Sequence, residues 1–211
     1  MPQSPIWAAI GRQLRNPSGF GGRLIARLMG IANRPSNRIA IRALDCSPDN
    51  TILDLGCGSG PALRALAGLA GQGLILGLDH SETVLAQALR HNRQAVRQGR
   101  VHLVRGRIDA LPWRDDTVDK ILAVHVVYFA GVAGVREARR MLRPGGRIVI
   151  VATDRSAMTR WKFTQSSTHE LFDARGLADL LVRGGFAASG ISVTQIKLAF
   201  GVLGLLAVAT K

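Results

Sequence analysis

The chain has 211 residues, 47% hydrophobic and 20% charged, which excludes a disordered chain and fits one globular domain able to bury a sizeable core. Lys and Arg number 28 against 14 Asp and Glu, a net charge of +14 with 24 arginines, and such a surface favours anionic partners without choosing among nucleic acid, lipid and acidic substrate. Two cysteines, Cys46 and Cys57, exclude a disulfide framework, and 24 glycines without a three-residue period exclude collagen.

The first 44 residues hold seven arginines and no acid, half of the net excess. The opening run from Met1 to Arg15 has no basic stretch ahead of its short apolar segment, so no secretory leader is expected. Phe20, Leu24, Ile25, Leu28, Met29 and Ala32 recur at three- and four-residue spacing with Arg23, Arg27 and Arg34 between them, which predicts an amphipathic helix with an arginine face. Pro35 and Ser36 punctuate it, and a second helix is expected over Asn37–Leu44. Residues 1–47 thus read as a basic helical arm and residues 48–211 as the main domain.

Strands and helices then alternate. Strands are expected at Thr51–Leu55, Gly73–Asp79, Val101–Val104, Asp119–Val124 and Arg147–Ala152, the last after a Pro144-Gly-Gly146 turn. Helices are expected at Pro61–Ala70, from Ser81 to about Gln98, at Val135–Leu142 and at Phe172–Arg183. Two final runs, Ser189–Leu198 and Val202–Thr210, are joined by Phe200-Gly201 and should pair antiparallel. The result is an α/β fold: a seven-stranded, mainly parallel sheet with helices on both faces and a C-terminal antiparallel pair. The longest apolar stretch, Leu198–Ala209, is far short of the ~20 residues of a membrane-spanning helix. Cytoplasmic residence is expected, with peripheral membrane contact open to the arm.

In such sheets ligands sit at the carboxyl ends of the strands. There, Asp54-Leu-Gly56-Cys57-Gly58-Ser59-Gly60 forms a glycine-rich turn that lets backbone approach a ligand and aims free N–H groups at it. The dinucleotide spacing G-x-G-x-x-G fails, because Pro61 stands where the third glycine would be. Asp79 ends the second strand, where an acid can accept hydrogen bonds from ribose hydroxyls or cap the next helix. Asp109, in Arg107-Ile-Asp109-Ala110-Leu-Pro112, can accept a purine amino group or form an Asx turn.

The ordered set resembles the class I S-adenosylmethionine-dependent methyltransferases, closest to the small-molecule type that includes ubiquinone- and menaquinone-pathway enzymes. The resemblance covers about residues 48–211. It implies a Rossmann-like sheet, with S-adenosylmethionine as cofactor and S-adenosylhomocysteine as product. In it Asp54, Gly56, Cys57, Gly58 and Gly60 lie under the methionine part, Asp79 holds the ribose, and Asp109 and Ala110 flank the adenine. Leu111-Pro-Trp113 and Met141-Leu-Arg-Pro-Gly-Gly146 match later motifs. His80 departs from the apolar residue usual at its position and stacks on adenine or lies half exposed in the loop.

Methyl transfer from a sulfonium needs the acceptor held in line and dry, and a base only where the nucleophile must lose a proton. His125, Tyr128 and Phe129 follow the fourth strand beside the expected transfer point. His125 reads as general base or structural histidine, and Tyr128 as acceptor-orienting hydroxyl or core aromatic. Trp161, Phe163, His169 and Glu170 are candidates for the acceptor pocket. His91 and His102 read as structural, and no Cys or His pair has zinc-like spacing. The expected acceptor is small and apolar or amphiphilic, with a membrane lipid headgroup or RNA as alternatives; nucleic acid is disfavoured by the 5% aromatic content and the lack of an added RNA-binding module. A monomer or homodimer is expected, and the arm is either a lid over the acceptor or a bilayer contact.

Overall fold

The computed structural model describes residues 19–161 and 169–211. The arm forms α1 (Gly19–Ala32) and α2 (Arg34–Leu44). Pro35 lies in the first turn of α2, where a helix has no use for its missing N–H, so α2 starts ahead of the expected Asn37. Then follow β1 (Ile52–Leu55), α3 (Pro61–Leu69), β2 (Ile75–Asp79), α4 (Glu82–His91), α5 (Arg93–Arg97) and β3 (Val101–Arg105). The helix expected to run to Gln98 is broken at Asn92, whose backbone leaves the helical region at φ −113°.

The second half holds β4 (Val118–Val124), a 3-10 turn over Val127–Phe129, α6 (Gly131–Met141), β5 (Leu142–Thr153), α7 (Arg155–Met158), α8 (Ala174–Arg183), β6 (Ile191–Lys197) and β7 (Leu203–Thr210). Helix α8 begins after Asp173, whose carboxylate accepts the Gly176 N–H at 2.8 Å, leaving Phe172 outside the helix. Strand β5 starts at Leu142 rather than Arg147. Leu142 pairs with Val118 and Arg147 with Lys120, so Arg143–Gly146 bulges from the ladder, with Gly145 at φ +76°. The expected Pro-Gly-Gly turn is a bulge inside a strand.

The sheet order is β3-β2-β1-β4-β5-β7-β6. Strands β1 to β5 are parallel, and β7 pairs antiparallel with both β5 and β6. The direction of winding reverses between β1 and β4, which opens a crevice at their carboxyl ends.

Core residues alternate across the sheet with the two-residue period of a strand. Ile121, Ile148 and Ile150 face α6 and α8, where Met141, Leu177 and Leu181 are buried. Leu122, Val149 and Val151 face the other layer, where Ala40 and Leu44 of α2 and Leu63 and Leu66 of α3 are fully buried. Each fully buried Leu contributes about 1.5–3 kcal/mol. Helix α2 is therefore a covering layer of the sheet, although its sequence reads as part of a basic arm. Helix α1 lies farther out, with Leu24, Leu28 and Ile31 exposed at 54%, 57% and 49%.

Candidate active site

The glycine loop leaves β1 and turns sharply into α3. Gly56, Gly58 and Gly60 have φ of +74°, +54° and +79°, the left-handed region that L-residues avoid. The N–H groups of Gly56 and Cys57 donate to the Leu78 carbonyl at 2.8 and 3.0 Å, tying the loop to β2. Two neighbours at the C-terminal end of α4 hold its far side. His91 Nδ1 donates to the Ser59 carbonyl at 2.9 Å, and Asn92 Nδ2 donates to the Gly60 and Ala88 carbonyls at 3.1 and 2.9 Å. Asn92 breaks the helix because its side chain closes this loop.

The glycines are not equivalent. A Cβ on Gly60 would lie 2.5 Å from Asn92 Nδ2 and 3.0 Å from Ala88 Cβ, whereas one on Gly58 meets nothing within 4 Å and projects into open space. Gly60→Ala is therefore expected to destabilise by about 3 kcal/mol, combining left-handed strain with overpacking, and Gly58→Ala by about 1–2 kcal/mol from strain alone. Gly58→Ala should nonetheless lose the larger share of ligand affinity, because its methyl occupies the cradle. Thermal melts and ligand titrations on the two variants check this ordering.

The loop floors a cavity of about 340 Å³ at the switch point, a size in the range of small-ligand sites. Asp54, Gly56, Cys57, Gly58, Asp79, His80, Asp109 and His125 line it; Gly60, Ala110 and Tyr128 do not. Gly60 supports the loop from behind, and Ala110 pairs with Arg107 in an isolated bridge.

Asp79 is nearly buried. Its Oδ2 accepts the Gly58 N–H at 3.0 Å and its Oδ1 the Ser81 N–H at 2.9 Å, so one carboxylate braces the loop and the start of α4. Each oxygen keeps a further lone pair for a ligand hydroxyl. His80 Nδ1 approaches Asp79 Oδ1 at 3.5 Å from the exposed rim. Asp54 is fully buried beneath the loop, and its Oδ2 has no hydrogen-bond partner among the described residues. Burial, reinforced by the nearby Asp79 charge, pushes its carboxyl from 3.8 up to about 7. An orphaned acceptor lining a cavity calls for a cationic or donor group from a ligand.

Burial also pushes the Cys57 thiol well above its ordinary value, which leaves it an inert packing residue. On the opposite wall Asp109 is exposed and held by Arg107 through two contacts of 2.8 and 2.6 Å, and the Arg107 bond lowers its pKa.

Past β4, His125 adopts φ +57° and its N–H donates to the Val151 carbonyl at 2.8 Å. Its Nε2 lies 3.0 Å from Ser36 Oγ of α2, and its Nδ1 3.4 Å from the Tyr128 hydroxyl. That hydroxyl accepts the Thr153 N–H, which leaves its own proton for Nδ1. Burial pushes His125 down to about 4 and the Tyr128 phenol up to about 12. Both are neutral groups wired to each other and to the arm. Phe129 lines the cavity and packs at 4.9 Å from the ring of buried His169. Trp161 packs against the core, the Glu170 N–H donates to the Tyr128 carbonyl at 3.1 Å, and Phe163 lies outside the described residues.

Sequence reasoning offered the arm as a lid over the acceptor but singled out none of the residues that roof the cavity. Ala26, Met29, Gly30, Asn33 and Asn37 from α1 and α2 close the cavity above the loop. The four-residue spacing of Asn33 and Asn37, which with Ser36 are the uncharged polar residues between Gly19 and Leu44, was the available signal. Arg107, Ile108 and Asn92 were missed too. Among the described residues no group of three His, Cys, Asp or Glu is placed to hold a metal ion.

Residues 52–146 match the family model described as a methyltransferase domain. A 37.1 kDa protein in transposon Tn4556 of Streptomyces fradiae is 29% identical over 174 residues, covering 81% of this chain and 49% of its own. The demethylmenaquinone methyltransferase of Bacillus mycoides is 31% identical over 126 residues, covering 56% of this chain and 51% of its own. The chain thus spans about half the length of the curated relatives it matches. In three dimensions it is similar to a chain in the complex between the Haloferax volcanii Trm112 methyltransferase activator and a methyltransferase, with a TM-score of 0.74, 21% identity and coverage of 89% of this chain and 93% of that one. The switch-point cavity over a glycine loop and the seven-stranded order with its inserted antiparallel strand accompany these matches: over residues 52–146 the chain is similar to a methyltransferase domain, and over 126 residues to a demethylmenaquinone methyltransferase.

Proposed function

We propose that the chain transfers a methyl group from S-adenosylmethionine to a small apolar or amphiphilic acceptor. The observation that carries this reading is the buried Asp54 carboxyl beside Gly58 in the switch-point cavity, whose Oδ2 has no hydrogen-bond partner among the described residues. Its free oxygen suits the ammonium of the cofactor's amino-acid end, the Gly58 backbone leaves that end room, and Asp79 suits the ribose hydroxyls. When bound, the cofactor supplies an activated methyl group on a sulfonium. His80, Ile108 and Asp109 would border the adenine.

The residues of this chain then position and dry the acceptor. Val124, Val126 and Phe129 give the cavity an apolar end, and Met29 and Ala26 of the arm cover it. His125 and Tyr128 act here as neutral wall and brace: both ring nitrogens of His125 are engaged, and its protonated form is disfavoured by burial. At saturating cofactor the rate should therefore show no inflection near pH ~6.5, where an unperturbed histidine titrates.

The test is a methyl-labelled S-adenosylmethionine incubation with a cell extract, followed by separation of lipid-soluble metabolites, water-soluble metabolites and RNA. Label in a small apolar or amphiphilic product, with a pH-rate profile flat from pH 6 to 8 at saturating S-adenosylmethionine, supports the proposal. Tight cofactor binding with no labelled product would overturn it, as would label confined to RNA.

A further inference from the structure

A second, wider groove lies behind the glycine loop, between α1, α2, α3 and α4. Arginines from all four helices converge on it: Arg27, Arg34, Arg38, Arg42, Arg64 and Arg90. None of these six forms an ion pair among the described residues, whereas Arg105, Arg107, Arg140, Arg143 and Arg147 elsewhere on the surface each meet a carboxylate. No acidic residue lines the groove. The undescribed residues 1–18 and 162–168 contain no Asp or Glu, so they bring no carboxylate to it. Like charges gathered without counter-charge repel one another, and an anionic partner removes that penalty.

The rim decides the kind of anion. Leu24, Leu28 and Ile31 recur at helical spacing on the exposed side of α1, adjacent to Arg23 and Arg27, and each is about half exposed. A polyanion such as nucleic acid offers nothing to these side chains, and among the described residues no Phe, Tyr or Trp lines the groove to stack a base. An anionic bilayer satisfies both features: its phosphates meet the arginines, and its interfacial region takes the leucines and isoleucine while long arginine stems reach the headgroups. We infer that the arginine-rich α1 and α2 and this groove dock the chain on an anionic phospholipid surface. The inference is independent of which acceptor is methylated, since its readout is binding alone.

The experiment is co-sedimentation of the full chain at low salt with vesicles of pure phosphatidylcholine and of phosphatidylcholine mixed with phosphatidylglycerol. Binding to the mixed vesicles only is expected, lost at high salt. Arg27→Ser with Arg38→Ser should lower the partition coefficient about thirtyfold. Leu24→Ser with Leu28→Ser should lower it about tenfold. Both pairs lie outside the cofactor cavity and should leave S-adenosylhomocysteine affinity unchanged, which also reports that they fold. Equal binding to neutral vesicles, or full binding by the arginine pair, would overturn the inference. So would binding to an RNA duplex by wild type and by the leucine pair alike with no vesicle binding.

Discussion

Asp54→Asn is expected to raise the melting temperature by about 10 °C at pH 8 and to leave it nearly unchanged at pH 4. The Asp54 carboxyl sits at about 7 in the folded chain against 3.8 when solvated, because burial and the Asp79 charge disfavour its ionised form. Its folded pKa lies above the unfolded one, so the associated stability is complete below pH ~4 and is lost as pH rises through about 7, a loss on the order of 4 kcal/mol. Asparagine keeps the shape and removes the ionisation. His125 works in the opposite sense. Its folded pKa of about 4 lies below 6.5, so stability falls as pH drops through that window. The two effects oppose each other between pH 4 and 6.5, and wild type should be nearly flat there. The variant, left with His125 alone, should gain stability steadily over the same range. Melts by scanning fluorimetry from pH 4 to 8 check both curves; parallel curves for the two proteins would refute the buried-charge account. The same substitution should weaken S-adenosylmethionine binding about 10- to 100-fold, since a charged hydrogen bond contributes about 1.5–3 kcal/mol. Stability would rise as affinity falls, as expected where a fold holds a strained group for a ligand.

Asp79→Ala is expected to weaken S-adenosylhomocysteine binding by at least about a hundredfold, through two losses at once. The proposed ribose acceptors disappear, and the Gly58 and Ser81 N–H groups lose the carboxylate that organises them. Asp79→Asn separates the two. Its amide can still accept one of these bonds, so it should recover part of the loop's order yet bind the ribose poorly, giving an intermediate affinity by calorimetry. An alanine variant with wild-type affinity would remove Asp79 from the site.

The strands were legible because each is a short apolar run bounded by glycine, proline or acid, and the glycine loop and Asp79 could be placed at strand ends before any coordinates. Where the reading slipped, a tertiary partner had overridden a local rule. Asn92 fits a helix by propensity, yet its side chain closes on the Gly60 carbonyl and breaks one. Pro144-Gly-Gly146 reads as a turn, but Leu142 already pairs with Val118. Asn33, Asn37 and Met29 reach the cavity only because α2 buries Ala40 and Leu44 against the sheet, a docking that no local period encodes. The burial of His125 was equally invisible: Ser36, its partner, lies 89 residues away.

Strand β7 sits between β5 and β6 although it follows both in the chain. During synthesis, then, β5 emerges with one edge bare and β6 with no neighbour at all, and neither can settle until Leu203–Thr210 has been made. A nascent chain stalled near Phe200 would present two unsatisfied ladders, a target for chaperones or for pairing with another copy. Completion of the sheet is therefore a late, long-range event that should govern how fast the whole molecule reaches its native state.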